Sequence, residues 1–320
     1  MITQANVWAL LKDKANQGVH DIFGSGAPVS GTAGTGLSIC GNGSKYLDIN
    51  SKVTYYNEGN ATNPYWTPEG YVGHPNLQAW FTDFRDGVGK AHADTAATVF
   101  LPGSGIRVHG QGIAETDSGL VVTFEEGGAV GTLTTTDEDA HLVALSCGAS
   151  NSSPLPLQPD THGPMVVEAT VRMDTALTVR RFFMGFLGTC ADALDPPATG
   201  ATVTITLVQD DLAGLFFDAG LTAATLLCAI HNKSDEAATQ TVSATTTGTV
   251  FPAAATHVRL RVEISEAGTM YCFVNRILVA TVPLALDVDE EVAPVLLVGS
   301  TSAAVKAMGV RRFAAWAKRA

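Results

Sequence analysis

Apolar and polar residues alternate most strictly from Thr256 to Ser265 (THVRLRVEIS). Val258, Leu260, Val262 and Ile264 share one face, and Arg259, Arg261 and Glu263 share the other. A period of two is the mark of a strand with one buried side. The same period runs through Val166 to Met173, with Val167, Ala169, Val171 and Met173 on one face, and through Ala201 to Val208, where Val203, Ile205 and Leu207 point inward. Arg181 to Leu187 (RFFMGFL) is almost continuously apolar. Ala213–Asp218 and Leu226–Asn232 read as paired strands, and Gln240–Ala244 as another. Glu266-Ala267-Gly268 and Asn275-Arg276 read as turns into Thr269–Val274 and Ile277–Val282, and Val292–Ser300 with Ala304–Trp316 complete the set. Residues 165–320 are therefore predicted to form an antiparallel two-layer sandwich.

Earlier in the chain the pattern is more mixed. Ile2 to Lys14 clusters Val7, Trp8, Leu10 and Leu11 at helical spacing, but a helix this short is marginal alone. Gly24 to Gly36 (GSGAPVSGTAGTG) has the composition of a flexible linker, so residues 1–36 read as an N-terminal helical arm and linker. Tyr46–Ile49 and Val53–Asn57 flank the turn Asn50-Ser51-Lys52 and predict a hairpin. Pro75 to Phe84 reads as a helical turn or irregular. Strands follow at 97–101, 105–109, 120–125, 131–135 and 141–147, separated by Gly- and Asp-rich turns. Residues 37–150 are thus expected to be a small β-domain, and the Ser/Pro-rich stretch 151–164 a linker into the sandwich. The whole is all-β: arm, small β-domain, C-terminal sandwich.

Composition narrows the function. Charged residues are 16% and hydrophobic residues 46% of 320, so surface polarity comes from Thr, Ser, Asn and Gln, as suits a protein packed within an assembly. A net charge of -12 argues against nucleic-acid binding. Basic residues cluster weakly, at Arg180-Arg181 and at Arg311, Arg312, Lys318 and Arg319, and read as strand-end charges sooner than as contacts to an acidic partner surface. Five cysteines, Cys40, Cys147, Cys190, Cys228 and Cys272, lack metal-type spacing and read as buried free thiols made in a reducing cytoplasm. No signal peptide and no membrane-spanning run of about 18 apolar residues are expected.

Catalytic signatures are missing from the sequence: it has no GxSxG, HExxH, P-loop or dinucleotide fingerprint. His20, His74, His92, His109, His141, His162, His231 and His257 show no ligand spacing on one element. Asp137-Glu138-Asp139 could offer oxygen ligands to a cation, but a solvated turn explains it better; the run Asp287, Asp289, Glu290, Glu291 reads as a solvated loop. The sequence cannot set Glu125-Glu126 across a cleft from another carboxylate, as glycoside hydrolysis requires. The chain is read as a non-enzyme with no cofactor and no metal. Tyr55, Tyr56, Tyr65, Trp66 and Tyr71 crowd one region and serve either as interface anchors or as the core of a hairpin domain.

Two stretches resemble known families. Residues 24–68 (GSGAPVSGTAGTGLSICGNGSKYLDINSKVTYYNEGNATNPYWTP) resemble a segment of tailed-bacteriophage virion proteins, in which a Gly/Thr-rich lead runs into "YLD", a turn, a "YYN-G" strand and "P-W". Residues 166–316 resemble the concanavalin-like (laminin-G-like) sandwich through "VVEATVRM", "TITLVQDDLAGLFFDAG", "THVRLRVEISEAGTMYCFVNRILVATV" and "VLLVGSTSAAVKAMGVRRFAAW". The Asp/Asn cluster that holds metal in lectins of that fold has no counterpart matched here. The resemblance implies a phage structural protein that decorates or cements the outer surface of the head, made in the host cytoplasm. It further implies a homotrimer that contacts the major capsid protein or other virion proteins. The alternative is a tail-fibre or receptor-binding protein whose sandwich recognises a host-surface glycan. No nucleic acid and no membrane are expected as partners. The interface candidates are Val7, Trp8 and Leu11 in the arm and Tyr55, Tyr56, Tyr65 and Trp66 beyond it.

Overall fold

A computed structural model describes residues 18–70, 76–85, 98–101, 104–110, 119–125, 128–135, 141–147, 156–173, 180–191, 194–222, 226–233, 239–251, 256–302 and 305–320. Strands dominate. In chain order they are β1 (Asp21–Gly24), β2 (Lys45–Asp48), β3 (Thr54–Asn57), β4 (Trp66–Pro68), β5 (Leu77–Thr82), β6 (Thr98–Phe100), β7 (Ile106–His109), β8 (Gly119–Glu125), β9 (Gly128–Thr134) and β10 (Leu142–Cys147). After the one-turn helix α1 (Pro159–His162) come β11 (Met165–Met173), β12 (Arg180–Leu187), β13 (Ala198–Ala201), β14 (Thr204–Leu207), β15 (Leu212–Asp218), β16 (Leu226–Asn232) and β17 (Thr239–Thr241). A second turn of helix, α2 (Val242–Thr245), leads to β18 (Thr246–Val250), β19 (Val258–Ile264), β20 (Met270–Val274), β21 (Ile277–Val282), β22 (Ala293–Ser300) and β23 (Ala307–Lys318). Two compact units result: residues 1–78 with Arg276–Leu278, and residues 79–275 with 279–320.

The second unit is a β-sandwich. One sheet runs β18-β16-β15-β12-β22-β10-β7-β6 and the other β21-β20-β19-β11-β23-β9-β8. The ladders of β12 with β15 and β22, and of β11 with β19 and β23, are antiparallel. The alternation read in β19 holds: Val258, Leu260, Val262 and Ile264 join the intersheet core with Val167, Ala169 and Val171 of β11 and Phe182, Met184 and Phe186 of β12. Each of these Val, Leu, Ile, Phe and Met side chains contributes about 1.5–3 kcal/mol on burial. Phe183 and Leu187 of β12 enter a second apolar cluster with Phe216, Val295, Leu297, Ile205 and Leu207. That cluster is covered by the three-stranded sheet β13-β14-β17. The central strands β12, β15 and β22 of the first sheet are therefore buried on both faces, which explains why RFFMGFL reads as a continuous apolar run.

Several expectations are corrected. The proposed boundary at 150 does not follow the hydrogen bonding, because β10 pairs with β22 and β9 with β23. Strands β6 to β10 thus belong to the sandwich sheets, not to a separate small domain. The described part of the 151–164 stretch is docked: Leu157 exchanges backbone hydrogen bonds with Val292 (2.8 and 3.2 Å), and Asp160 N–H donates to the carbonyl of Val288. Residues Leu77–Thr82 form a strand, where a helical turn or irregular chain was expected. Val203 is exposed, since the chain reverses at Thr202 (φ 56°) before β14 begins. Arg259 is half-buried, while Arg261 and Glu263, on the outer face of β19, are buried and pair with each other. The turns at Gly268 (φ 71°) and Asn275-Arg276 (φ 49° and 70°) stand as expected.

Candidate interaction surface

The first unit is organised by the residues that make its sequence motif. In "YLD", Asp48 Oδ1 accepts from the backbone N–H groups of Gly26 (2.9 Å) and Asn50 (3.0 Å), and Oδ2 accepts from the Ser51 hydroxyl. Burial works to raise this carboxyl, but those hydrogen bonds outweigh it and hold the group below the usual carboxylate range. In "YYN-G", Asn57 Nδ2 donates to the carbonyls of Cys40 and Gly41, while Oδ1 accepts from Gly59 N–H (2.9 Å) and Tyr65 N–H (2.8 Å). In "P-W", Trp66 N–H donates to Ser30 Oγ and its indole Nε1 donates to the carbonyl of Thr35, both at 3.0 Å. Gly31 N–H donates to the carbonyl of Pro64 at 2.8 Å. The Gly/Thr-rich stretch expected to be a loose linker is therefore pinned to the hairpin by side chains that the motif supplies.

The aromatic candidates divide accordingly. Tyr55, Tyr65 and Trp66 are buried, and Tyr46 packs on Tyr55 and Trp66 at centroid distances of 6.3 and 6.0 Å. These rings are the interior of the first unit rather than surface anchors. Tyr56 is half-buried; its hydroxyl donates to Glu69 Oε1 at 2.9 Å, and Lys45 Nζ lies 4.8 Å from its ring centroid. Tyr71, Val7, Trp8 and Leu11 lie outside the described residues, as does Asp137-Glu138-Asp139.

The outer face of the small sheet, order β1-β2-β3-β4, carries two rows. Register aligns Asp21, Lys45, Tyr56 and Thr67 in one, and Phe23, Leu47 and Thr54 in the next. The first row is polar. Lys45 is raised above its ordinary value, chiefly by its hydrogen bond to the Tyr56 hydroxyl. The second row ends on Thr54 but is otherwise apolar and open: Phe23 is 77% exposed, Leu47 40%, and Ile49 just beyond β2 42%. A phenylalanine ring left in water on a strand, beside two aliphatic neighbours, is the pattern of a contact surface rather than of isolated surface apolar residues. The sequence left the aromatic group either as interface anchors or as the core of a hairpin domain, and Tyr55, Tyr65 and Trp66 take the second place. Period-two reading of KYLD would have set Leu47 opposite Tyr46, but it could not pair Leu47 with Phe23 across a parallel ladder.

The sandwich offers a different outer face. Glu168 of β11 is buried between Arg259 Nη2 at 2.9 Å and Arg312 Nη2 at 3.6 Å. Arg261 stacks on Trp316, its guanidinium carbon 5.1 Å from the ring centroid. Arg172 grips Glu125 with both terminal nitrogens, which holds that carboxyl below its ordinary range. These charges are spent on each other. Arg311 falls where the β11–β23 register shifts, so it and Arg312 sit within a strand rather than at a strand end. Arg180 and Arg181 do open β12, and Arg181 Nε pairs with buried Asp218 at 2.8 Å. The run Asp287–Glu291 is mostly solvated, with Lys233 3.8 Å from Asp287.

No protein-family model and no curated protein matches the chain. Among solved structures it is similar to SO2946, a protein of unknown function from Shewanella oneidensis MR-1 (TM-score 0.46, 9% identity, 77% of this chain and 90% of that one). It is similar also to peanut lectin with a bound 9mer peptide (TM-score 0.44, 12% identity, 76% and 97% coverage) and to the Emp47p carbohydrate recognition domain (TM-score 0.43, 8% identity, 77% and 98% coverage).

Proposed function

We propose that the chain is a non-enzymatic structural protein of a virus particle that attaches by protein–protein contact through the outer face of its small sheet. The observation that carries this reading is the open apolar row Phe23, Leu47 and Ile49. Two features of the sequence support it: the resemblance of residues 24–68 to tailed-phage virion proteins, and a surface with few charges. In this reading the partner is the major capsid protein or another protein of the particle, the site is the outer surface of the head, and the decorating species is a homotrimer. The N-terminal arm, with Val7, Trp8 and Leu11, adds a second contact to the same partner.

The test is a Phe23→Asp, Leu47→Asp double variant added to particles that lack the protein. The expected result is an unchanged melting temperature with occupancy reduced at least tenfold at the concentration that saturates with the native chain. Full occupancy by the double variant would overturn the reading. Recognition of a host-surface glycan by the sandwich is the competing role. In that case the double variant would keep its binding to glycan-bearing cells while particle attachment, if any, stayed unaffected.

A further inference from the structure

The face of the first sandwich sheet turned away from the intersheet core ends in a polar corner. β7 places Arg107 and His109 there, in register with Ser146 and Ala144 of β10, and all four are buried. Arg107 Nε donates to Ser146 Oγ at 3.0 Å, and its Nη2 donates to the carbonyl of Cys190. His109 Nδ1 lies 2.9 Å from the carbonyl oxygen of Ala191. A carbonyl can only accept, so Nδ1 carries a hydrogen, and in the neutral imidazole Nε2 is then the basic nitrogen. Nε2 lies 3.7 Å from Cys190 Sγ. β7 thus grips two successive carbonyls of the loop that follows β12, and it sets the thiol between them against a base.

We propose that Cys190 is an exchangeable nucleophilic thiol, activated by His109, whose co-reactants are small-molecule disulfides and thiosulfonates. The other four cysteines are set up differently. Cys40, Cys147, Cys228 and Cys272 are fully buried, and burial raises each of their thiols above the ordinary value. Cys190 keeps 4% of its surface in solvent. Charged and titratable groups around it among the described residues include His109, the Arg107 guanidinium on its own carbonyl, and the Cys147 thiol, which feels its charge. A neighbouring imidazole and a cation both favour the thiolate. In the step, the S–H proton passes to His109 Nε2 and the thiolate attacks one sulfur of the co-reactant. A new S–S bond forms, the old one breaks, and the leaving group departs as thiolate or sulfinate. The imidazolium then returns its proton to water.

The test uses the native full chain with methyl methanethiosulfonate, followed by peptide mass mapping. One methylthio group should be added in a fast phase, at Cys190, with the other four thiols reacting only after unfolding. His109→Gln should slow that phase by more than about tenfold, the loss of a positioned base. A fast group mapped to another cysteine, or a rate unchanged in His109→Gln, would overturn the proposal. Should that variant fail to fold, the pH profile of the native chain decides. A rate that reaches its plateau below the free-thiol range of about 8.5 supports activation, and one that climbs through that range overturns it.

Discussion

The side-chain oxygen of Asn57 accepts the backbone N–H of Tyr65 at 2.8 Å, and through this bond the end of one strand is tied to the start of the next. Its amide also serves Gly59, Cys40 and Gly41. Asn57→Ala leaves buried carbonyls and N–H groups without partners, each costing about 1–3 kcal/mol. The expected loss is about 3 kcal/mol of stability, read as a lower denaturant midpoint by near-ultraviolet circular dichroism of the tyrosines and Trp66. A midpoint within error of the native chain would show that the motif does not hold the unit together.

Asp48 predicts how acid acts on the first unit. Its folded-state carboxyl is held below the ordinary value of 3.8, so the linked stability is present above that value and lost as pH falls through the lower, folded one. Stability should be flat from neutral pH down to about 5 and fall below about 4. Asp48→Asn should start lower at neutral pH and show a shallower acid slope. Parallel acid slopes for the two proteins would remove Asp48 as the source.

Leu260 points from β19 into the intersheet core and is fully buried. Leu260→Asp places an uncompensated carboxylate there, a change expected to exceed about 4 kcal/mol and to appear as insoluble or unfolded protein. Leu260→Ile, close to volume-conserving, should cost less than about 1.5 kcal/mol. A soluble Leu260→Asp protein with native circular dichroism would contradict the register.

Glu168 ties β19 and β23 to β11 through Arg259 and Arg312. Glu168→Ala removes the shared anion and leaves two guanidinium groups facing each other across the strand. The expected cost is about 3 kcal/mol, near the lower end for a broken buried pair because both arginines retain contact with water. Glu168→Gln, which keeps an acceptor, should cost less. Equal melting temperatures for all three chains would mark the network as dispensable.

What could be read from the residues was local. The alternation in β19 and β11 gave the right face, and Gly268 and Asn275-Arg276 gave the right turns, because period and backbone sign are properties of a few adjacent residues. Pairings across long separations were not legible. Nothing within LVALSC announces that Leu145 will lie beside Leu296, so β10 was assigned to the wrong domain. The Gly/Thr stretch looked loose because its order comes from Asp48, Pro64 and Trp66, none of which it contains. His109 and Cys190 stand 81 positions apart and meet only when β7 and the loop after β12 share a sheet face. One signal was available: continuous apolar runs such as RFFMGFL mark a strand covered on both sides, and hence a third layer.

The place of β23 in its sheet sets the order in which the sandwich can be made. It lies between β11 and β9, yet it is the last described strand along the chain. A ribosome must therefore deliver the chain through β23 before that sheet can close, and until then β8-β9 and β11-β19 are two fragments with exposed hydrogen-bonding edges. Pairing over such separations is slow, and waiting edges invite pairing with other chains. During synthesis the nascent protein should therefore depend on chaperones until β23 emerges, and loss of β23 should yield aggregates rather than a smaller soluble domain.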